Sequence, residues 1–567
     1  MVEWLDCQKE RVRRKYFCHQ VVDKGHTNFM RIALLQINVD FGRPEANGRA
    51  IEKGYLEAID LGAELVVAPE LAVPGCLPWE GLSDTSAISA TEKENQRLTA
   101  LVGAIPLVFG TCSQSGSGKL PNEIWWCENG KLRHMARKNA QGGGELESIE
   151  YLGTKVGLAI GEDLEGTFEN HARAGANLVI NAVASPAALE SYAPALSRPP
   201  WTLPSKAERR RKFLAKQAQM YAAPIAYVNR VGADKSVLFD GGSCLVQRDG
   251  TWQCGLSFHD GVLLVDTNRA GEPYGEKPDA EGAWLAHALA MGFKDNLTKQ
   301  GIGAAVIGLS GGIDSAVVAA LACRALDSKK ILGVSLPTRF TSPESVELAR
   351  AIAQNLGINY LELDADAPYS SAAASLKRAF PGREFCLTDE NLQSRARGVL
   401  LMALTTEPDV HRLLGTDRCV VINTGNKSEA ATGYFTLYGD GIGAFGPLGD
   451  LLKARVYLLA DEFRGQIPEQ VIKRPPSAEL RPGQTDEASL VPYDQLDAVL
   501  GAFLEAGRPA ELLQDDLADI LEGQCLTEAR KALPRILEMI KNSEFKRRYL
   551  PHALNVTQGN NWPGRLG

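Results

Sequence analysis

The chain has 567 residues, 44% of them hydrophobic, and this length exceeds what one hydrophobic core fills, so we expect two large domains or three ordinary ones. A formal net charge of -8 argues against sequence-independent binding of nucleic acid. Eleven cysteines at irregular spacing, without a CxxC pair, predict reduced thiols rather than a disulfide framework or a zinc site.

Residues 1–29 are polar, contain ERVRRKYF and lack the apolar core of a signal peptide. We interpret them as a disordered arm, with Met30 as an alternative functional start. No window of the chain approaches the roughly 18 consecutive apolar residues of a membrane-spanning helix. These features together predict a cytoplasmic protein without a membrane segment.

From residue 30 onward, short apolar runs alternate with helical periodicity. The predicted strands and helices are, in chain order, strand Ile32–Ile37, helix Asn47–Leu61, strand Glu64–Glu70, helix Ala90–Val102, strand Pro106–Thr111, a hairpin over Ile124–Met135 that turns at Asn129-Gly130, a strand that stops at Gly161, strand Asn177–Val183, a basic helix and strand Pro224–Val231. This order predicts an α/β layered fold with sheets packed inside helices. We interpret the basic run Glu208–Phe213 as a solvated helix face rather than a phosphate-binding patch.

A stretch rich in Gly, Pro and charge, RAGEPYGEKPDAEG, is the natural linker at residues 269–282. It divides the chain into a first domain at residues 30–268 and a second at residues 283–567. The second domain begins with a predicted helix, Ala283–Gln300, and a predicted strand, Ala304–Ser310. A second α/β pattern therefore follows the first.

The most restrictive motif, SGGIDS, connects that strand to the next helix. Two adjacent glycines let the backbone approach an anion closely, and the helix N-terminus supplies free N–H groups and a positive dipole. The loop lacks the lysine of a Walker motif, and a carboxylate at Asp314 makes sense beside phosphates only with a metal ion. The sequence therefore predicts a phosphate-binding loop at Gly308–Ser315.

SGGIDS resembles the signature of the N-type ATP pyrophosphatases, which split ATP into AMP and pyrophosphate to activate a carbonyl group. The remaining motifs are similar to those of the NAD synthetase family. They are VINTGNKSEAATGYFTLYGDGIGAFGPLGDLLKARVY (Val421–Tyr457), ENLQSRARG (Glu390–Gly398), RPPSAELRPGQTDE (Arg474–Glu487) and FKRRYLP (Phe545–Pro551). The resemblance implies a doubly wound parallel sheet in this domain.

The resemblance also implies a reaction and the residues that carry it. The nicotinate carboxylate of deamido-NAD attacks the α-phosphate of ATP, and ammonia then displaces AMP from the adenylated intermediate. Mg²⁺ would be held by Asp314 and Glu429. The implied ATP contacts are Gly308, Leu309, Ser310, Gly311, Gly312, Ile313, Asp314, Ser315, Thr424 and Lys453. The implied deamido-NAD contacts are Asn391, Arg395, Arg397, Glu429, Tyr434, Phe435, Thr436, Leu437 and Lys546.

Several of these residues have plainer interpretations. Arg395 and Arg397 are alternatively exposed helix charges, and Lys453 is alternatively a surface lysine. Tyr434 and Phe435 are alternatively core aromatics, although a flat apolar surface is also what a pyridine ring needs.

The first domain contains APELAVPGCLPWEGL, KVGLAIGEDLEG, INAVASP and VNRVGADKSVLFDGGS. These stretches resemble the nitrilase-like amidases, a resemblance that implies an α-β-β-α sandwich. That family uses a Glu as base, a Lys at the oxyanion and a Cys nucleophile at an elbow that reads AICED. Glu70 and Lys138 stand at the first two positions, and the elbow here reads AIGED, so Gly161 stands where the thiolate is expected.

Glycine has no atom that can form a thioester, so the amidase site is predicted to be degenerate. Cys76, six residues after Glu70, is a weaker alternative nucleophile. Two further departures are the short glycine-rich NAQGGGELESIEY after Lys138, in place of a loop rich in Pro, Tyr, Phe and Asp, and GADKS at Gly232–Ser236, in place of GGQDE.

The leading hypothesis is an ammonia-dependent NAD synthetase with a silent amidase-like domain, assembled as a dimer or larger homo-oligomer. A second hypothesis keeps glutamine as the nitrogen donor, through Cys76 or through a separate glutaminase partner. A third treats the chain as a non-enzymatic binder of NAD precursors; SGGIDS, Asp314 and Glu429 argue against it, because a binder needs neither a pyrophosphate site nor a metal site.

Overall fold

The computed structural model describes residues 30–75, 85–113, 121–138, 148–161, 163–189, 206–271, 280–481, 483–484, 490–519 and 521–557. The predicted arm, Cys76, most of the glycine-rich segment after Lys138 and most of the predicted linker lie outside these residues. None of the helices in the described ranges is long and apolar enough to span a bilayer. The eight cysteines that the structure describes are all free.

The first half of the chain alternates strands and helices much as predicted. Its strands are β1 (Arg31–Gln36), β2 (Leu65–Val67), β3 (Leu107–Cys112), β4 (Asn122–Glu128), β5 (Lys131–Arg137), β6 (Ser148–Tyr151), β7 (Thr154–Ile160), β8 (Leu178–Val183), β9 (Ile225–Asn229), β10 (Val231–Asp234), β11 (Val237–Asp240), β12 (Cys244–Val246), β13 (Trp252–Cys254) and β14 (Gly261–Asp266). Its helices are α1 (Pro44–Asp60), α2 (Thr85–Leu101), α3 (Asp163–Arg173) and α4 (Lys206–Tyr221). The predicted hairpin joins β4 to β5 and turns where Asn129 and Gly130 both have positive φ, 50° and 68°.

Two six-stranded sheets face each other in this half. Their strand orders are β14-β1-β2-β3-β4-β5 and β13-β12-β9-β8-β7-β6. Trp126 of the first sheet and Leu158 of the second belong to the core between them. Helices α1 and α2 cover the outer face of the first sheet, and α3 and α4 cover that of the second. The predicted α-β-β-α sandwich is therefore confirmed.

The described residues of the second half form four strands and a larger number of helices. The strands are β15 (Ala304–Gly308), β16 (Ile331–Ser335), β17 (Asn359–Glu362) and β18 (Cys419–Ile422). The α-helices are α5 (Glu281–Thr298), α6 (Ile313–Ala325), α7 (Pro343–Leu356), α8 (Asp366–Ala379), α9 (Leu387–Leu404), α10 (Pro408–Leu414), α11 (Lys427–Thr432), α12 (Lys453–Asp461), α13 (Glu469–Lys473), α14 (Tyr493–Leu500), α15 (Leu513–Asp516), α16 (Gly523–Asn542) and α17 (Glu544–Arg547). Two 3₁₀ turns (Ser328–Lys330 and Leu517–Asp519) and one π turn (Gly501–Glu505) complete it.

The four strands form an all-parallel sheet in the order β17-β16-β15-β18. Residues 304–307 are fully buried, as expected for a parallel strand covered by helices on both faces. Helices α5, α6 and α7 pack on one face, and α9 and α10 pack on the other. The chain leaves β15 toward β16 on one side and later returns to place β18 on its other side, so a crevice opens at the carboxyl ends of β15 and β18. The predicted doubly wound fold is confirmed.

One hydrophobic core joins the two halves. Leu238 of the β10–β11 hairpin lies in the same buried cluster as Leu285 of α5. The Asp295 carboxylate of α5 accepts hydrogen bonds from the Ala233 N–H at 2.7 Å and from Asn38 Nδ2 at 2.9 Å. The GADKS segment therefore supplies most of β10 and the turn of the β10–β11 hairpin, which we call the joining hairpin, Val231–Asp240.

The segment 551–557 also contacts both halves. The Asn555 N–H donates to the Ser236 carbonyl at 2.7 Å, and the Leu189 N–H donates to the Val556 carbonyl at 2.8 Å. His552 contacts Ser236 and Asn296 through its two ring nitrogens, at 3.2 and 3.1 Å. These bonds tie the joining hairpin to residues next to the crevice.

The solvated-face interpretation of the basic run is wrong for one arginine. The Arg210 side chain is only 11% exposed and pairs with Asp240 at 3.3 Å. Its guanidinium also lies over the Tyr227 ring, 4.8 Å from the ring centroid. Helix periodicity turned this residue toward the sheet, and the carboxylate beneath it compensates the buried charge.

Candidate active site

A cleft of about 460 Å³ opens at the carboxyl ends of β15 and β18. This is the position at which doubly wound sheets bind ligands. The predicted site residues that line it are Gly308, Leu309, Ser310, Gly312, Ile313, Asp314, Ser315, Asn391, Arg397, Thr424, Glu429, Tyr434, Phe435, Thr436, Lys453 and Lys546. Gly311, Arg395 and Leu437 are not among the lining residues.

The SGGIDS loop forms a compact turn between β15 and α6. Ser315 Oγ donates to the Gly312 carbonyl at 3.0 Å, and the Ser310 N–H donates to Ser315 Oγ at 3.3 Å. Gly312 precedes the first residue of α6, and no side chain in the described ranges caps this helix. Ile313, Asp314 and Ser315, which carry the first N–H groups of α6, all line the cleft, an arrangement that suits an anion.

Gly311 supports the loop from behind. Its φ is +79°, and a Cβ built on it would lie 2.4 Å from the Ser345 carbonyl oxygen of α7. Only glycine fits both the conformation and the space. Gly311 thus brings the loop against α7.

A lysine lies between two carboxylates beside the loop. Lys453 Nζ is paired with Asp314 and lies 3.5 Å from Glu429 Oε1. The lysine is 1% exposed, and although burial lowers its pKa, the two carboxylates outweigh burial and raise the pKa above the usual value. Asn426 Nδ2 donates to Asp314 Oδ1 at 3.0 Å and fixes the second oxygen of that carboxylate.

The donor set of Asp314 and Glu429 fits a magnesium ion that is shared with a phosphorylated substrate. Mg²⁺ is usually bound in proteins by one or two carboxylates together with phosphate oxygens. No group of three or more His, Cys, Asp or Glu residues in the described ranges can hold a metal. The remaining ligands would therefore come from phosphates and water.

The far end of the cleft is held by polar contacts among predicted residues. Thr436 Oγ1 donates to Asn391 Oδ1 at 2.8 Å. Lys546 Nζ donates to the carbonyls of Gly433 and Phe435, both at 2.8 Å, and lies 5.3 Å from the Phe435 ring centroid. Burial lowers the pKa of Lys546. The Lys546 ammonium thus lies over the aromatic face of Phe435 at this end of the cleft.

The two predicted arginines of α9 have different environments. Arg397 lines the cleft, donates to the Leu336 carbonyl at 3.0 Å, and its pKa is lowered by burial. Arg395 is exposed and donates to the Leu437 carbonyl at 3.2 Å, outside the cleft lining. Because α9 turns about 100° per residue, two arginines two positions apart cannot share one face.

Three further groups organise the cleft and were not identified from the sequence. The first is Asn426, which forms a capping box with the predicted residue Glu429 at the start of α11, and the spacing N-x-x-E was a readable signal for it. Asp440 accepts from Ser394 Oγ at 2.7 Å and from the Thr436 N–H at 2.8 Å. The third group is Arg474, which also lines the cleft and donates to Ser345 Oγ and Glu479 Oε1, both at 2.7 Å.

A second charged cluster lies in the first half, at the ends of β7 and β8. Glu70 Oε1 accepts from Lys138 Nζ at 2.9 Å and from Asn122 Nδ2 at 2.6 Å, and its Oε2 accepts from the Ala184 N–H at 2.8 Å. Gly161 follows β7 with a φ of +58°. The sequence-predicted trio of Glu70, Lys138 and Gly161 is therefore brought together.

The space at Gly161 is taken by these two charged groups. A Cβ built on Gly161 would lie 2.6 Å from Lys138 Nζ and 3.0 Å from Glu70 Oε2. A side chain at this elbow would thus project directly between base and lysine, and Lys138 would have to move to admit it. Glu70, Lys138 and Gly161 thus lie together as predicted, and Gly161 places no side chain between the two charged groups.

Comparison with known proteins agrees with both halves. Residues 285–550 match the family model described as NAD synthase. Curated relatives include the glutamine-dependent NAD(+) synthetases of Synechocystis, 32% identical over 94% of this chain and 97% of that protein, and of Thermotoga maritima, 31% identical over the same shares. The solved structure of glutamine-dependent NAD+ synthetase from Acinetobacter baumannii, in complex with ADP, matches with a TM-score of 0.71 at 26% identity, over 94% of this chain and 98% of that one. The chain therefore belongs to the NAD synthetase family and matches its glutamine-dependent members along almost its whole length.

Proposed function

We propose that the chain is an ammonia-dependent NAD synthetase, which converts deamido-NAD, ATP and ammonia to NAD, AMP and pyrophosphate. Residues 283–567 form the synthetase domain in this proposal. Residues 30–268 form a catalytically silent amidase-like domain, and residues 269–282 link the two. Family membership and the phosphate-type loop at the cleft support the synthetase activity, and Gly161 supports the choice of donor.

The loop Gly308–Ser315 binds the β- and γ-phosphates that leave as pyrophosphate. Its backbone N–H groups and the hydroxyls of Ser310 and Ser315 are the donors, and the N-terminus of α6 adds its dipole. Lys453 supplies a fixed positive charge, and Thr424 at the end of β18 contacts the nucleotide. Positive groups held in place before reaction stabilise charge that develops on the leaving phosphates.

Asp314 and Glu429 would hold Mg²⁺, which offsets phosphate charge and polarises the α-phosphate when bound. Lys453 and Asn426 keep the two carboxylates together on one wall of the cleft.

The dinucleotide occupies the other end of the cleft. We propose Tyr434 and Phe435 as the surface under the pyridine ring, and Lys546 as a cation near the nicotinate carboxylate. The remaining residues that the family resemblance implies for this site are Asn391, Arg395, Arg397, Thr436 and Leu437. Arg395 and Leu437 lie outside the lining of this chain's cleft, so their contribution would require the substrate to extend beyond it.

The chemistry then proceeds by two displacements. A nicotinate carboxylate oxygen attacks the α-phosphorus of ATP, and the bond to the pyrophosphate oxygen breaks. The lone pair of ammonia attacks the activated carbonyl carbon, and AMP leaves with the electron pair of the C–O bond. The amide nitrogen loses one proton to water, which completes NAD.

Ammonia rather than glutamine is the proposed donor because the elbow lacks a nucleophile. Releasing ammonia from glutamine by amidase chemistry needs a thiolate to accept the acyl group. Glu70 and Lys138 are close enough to contact a thiolate at position 161. Gly161, however, has no side chain and therefore no sulfur. This is the observation that carries the donor assignment.

A second candidate retains glutamine as donor, since the curated relatives are described as glutamine-dependent. It requires Cys76 as nucleophile or a separate glutaminase partner. We also propose a dimer or larger homo-oligomer on the family resemblance, which analytical ultracentrifugation tests.

The deciding experiment compares donors with the purified full chain. NAD formation is followed with ATP, Mg²⁺ and deamido-NAD, and with either ammonium chloride or glutamine. We expect NAD from ammonium and at least a ~10³-fold lower rate from glutamine, in line with the loss of a nucleophile. Glutamine supporting a comparable rate, with one glutamate released per NAD, contradicts ammonia dependence, and a Cys76→Ser variant then tests that thiol. If neither donor yields NAD, the synthetase assignment fails.

A further inference from the structure

The backbone start of helix α12 is held by a buried carboxylate from another helix. Lys453 is the first residue of α12, and its N–H donates to Ser428 Oγ at 3.0 Å. The next N–H, that of Ala454, donates to Asp497 Oδ2 at 2.8 Å. Ser428 Oγ in turn donates to Asp497 Oδ1 at 2.5 Å. Asp497 of α14 thus secures the first two N–H groups of α12, one directly and one through Ser428.

The same helix also contacts the other end of the lysine. Lys453 Nζ lies 5.2 Å from the centroid of the Tyr493 ring, and Tyr493 precedes Asp497 by four residues on α14. One turn of α14 therefore touches both the backbone and the ammonium group of Lys453. Because residues four apart lie on one helix face, the two contacts move together.

Burying the Asp497 carboxylate to cap a helix carries a desolvation penalty. It is 6% exposed, and desolvation raises its pKa to about 6, despite the hydrogen bonds from Ser428 and Ala454 that lower it. A neutral side chain such as asparagine or serine is a common cap and avoids this cost. A buried charge at this position is easier to understand if it does more than stabilise the helix.

We propose that Asp497 is a positioning residue for the synthetase reaction, because it fixes the backbone from which the Lys453 ammonium reaches Asp314 and Glu429. The inference rests on the proposed function and extends it to a residue 44 positions away in the chain. Lysine has a flexible four-carbon stem, so the location of its ammonium depends on where its Cα is held.

The Lys453 ammonium has little space in which to move. The Lys453 side chain is 1% exposed, and its ammonium contacts two carboxylates and an aromatic ring. A displacement of about 1 Å at a catalytic group costs on the order of a hundredfold in rate. Loss of the Asp497 carboxylate is therefore expected to lower the rate of the chemical step and to leave dinucleotide binding intact.

The test measures ammonium-dependent NAD formation by the full chain carrying Asp497→Asn. The amide keeps the size of the carboxyl group but removes one of its two acceptors. We expect kcat to fall about 10- to 100-fold, with KM for deamido-NAD within about twofold of the unaltered chain. Asp494→Asn, an exposed position on the same helix, is the matched control and should leave both parameters within about twofold.

A double-variant comparison separates positioning from general stability. In a Lys453→Met background, measured by NAD accumulated over hours, Asp497→Asn should change the residual rate by less than about twofold, because its effect passes through the lysine. If the rate losses of Lys453→Met and Asp497→Asn multiply in the double variant, the inference is overturned. An unchanged kcat in Asp497→Asn alone would also overturn it. Circular dichroism confirms folding of each variant. If Asp497→Asn does not fold, Ser428→Ala removes the bridge from the other side and is read by the same criterion.

The outcomes also distinguish failure of the positioning role from failure of the proposed NAD synthetase activity. An unaltered chain that makes no NAD overturns both. An active chain whose kcat responds to Lys453→Met but not to Asp497→Asn or Ser428→Ala overturns the positioning role alone.

Discussion

The two halves of this molecule each place a lysine against carboxylate at the end of buried strands. In the second half Lys453 lies between Asp314 and Glu429, beside a phosphate-type loop and a cleft. In the first half Lys138 pairs with Glu70, and both face Gly161. Both clusters pair a lysine with carboxylate, and they differ in what lies next to the pair: the loop Gly308–Ser315 in the second half and a glycine without a side chain in the first. The function of such a cluster must therefore be argued from the groups that surround the charged pair and not from the pair alone.

Burial sharpens the contrast. The Lys453 side chain is 1% exposed, whereas that of Lys138 is 35% exposed. The first lysine is enclosed in a region that binding of substrate would dry further, which strengthens its field. The second is open to solvent, which screens its pairing with Glu70.

The largest expected difference comes from neutralising one carboxylate in each cluster. Asp314→Asn removes the negative charge that we propose binds Mg²⁺ and that pairs with Lys453. NAD formation from ammonium should therefore fall at least ~10³-fold. Glu70→Gln, the matched change in the other half, should leave the ammonium rate within about twofold. Steady-state rates of both variants decide the point. A large loss in Glu70→Gln would mean that the first half takes part in the reaction.

A second prediction asks what the first half contributes if it is silent. Leu238 in the joining hairpin is fully buried in the core shared by both halves. Leu238→Ala should lower the free energy of unfolding by about 2–4 kcal/mol, the usual cost of a cavity of this kind. Urea denaturation measures it. Leu256→Ala, at a 52% exposed position in the same half, is the control, and we expect less than ~0.5 kcal/mol there. Equal small effects would mean that the joint is loosely packed.

A third prediction concerns a variant with a thiol at the elbow. Gly161→Cys places a side chain at φ +58° and against Lys138 Nζ, so we expect a loss of stability of about 1–2 kcal/mol. Glutamine-dependent NAD formation should stay below ~1% of the ammonium rate, because the segment after Lys138 also differs from the amidase pattern.

Gly161→Ala is the control for this variant, since it carries the same backbone strain without sulfur. Thermal unfolding and glutamate release are the two measurements. Full recovery of glutaminase activity in the cysteine variant would show that the rest of the amidase site is intact.

The smallest expected effect concerns pH. Burial lowers the pKa of His171 beneath β7, so the unfolded chain takes up a proton that the folded chain resists, and stability is lost as pH falls below about 6.5. Asp497 has the opposite sign: its folded pKa is raised to about 6, so stability is gained as pH falls through that value. Urea unfolding of His171→Gln at pH 7 and pH 5 should show a smaller loss than the unaltered chain. An identical loss would contradict the assignment to His171.

The sequence predicted the strands and helices well because their signals are local. Apolar runs such as Ala304–Gly308 and the Asn-Gly turn carry their own periodicity and turn chemistry. The loop Gly308–Ser315 was predictable for the same reason, since its glycines, serines and aspartate are contiguous. Glu70, Lys138 and Gly161 were brought together only by the family resemblance, because 91 residues separate the first from the last.

What the sequence did not reveal depends on packing between distant elements. Nothing near Asp497 marks it as a partner of α12, because the bond to Ala454 exists only once α14 has packed on that helix. The burial of Arg210 depends on Asp240 in the same way. The exclusion of Arg395 from the cleft follows from helix geometry, which a motif match does not take into account.

The joining hairpin has a consequence for how such a protein changes over evolutionary time. Its turn and the segment 551–557 are hydrogen-bonded to one another, and Leu238 fills the face that α5 presents. Deleting the first half would strip that face and leave an apolar surface in water. A lineage that no longer needed amidase turnover would therefore find single substitutions at the elbow tolerable and removal of the domain costly. Selection would then preserve the fold of that domain without preserving its catalytic activity.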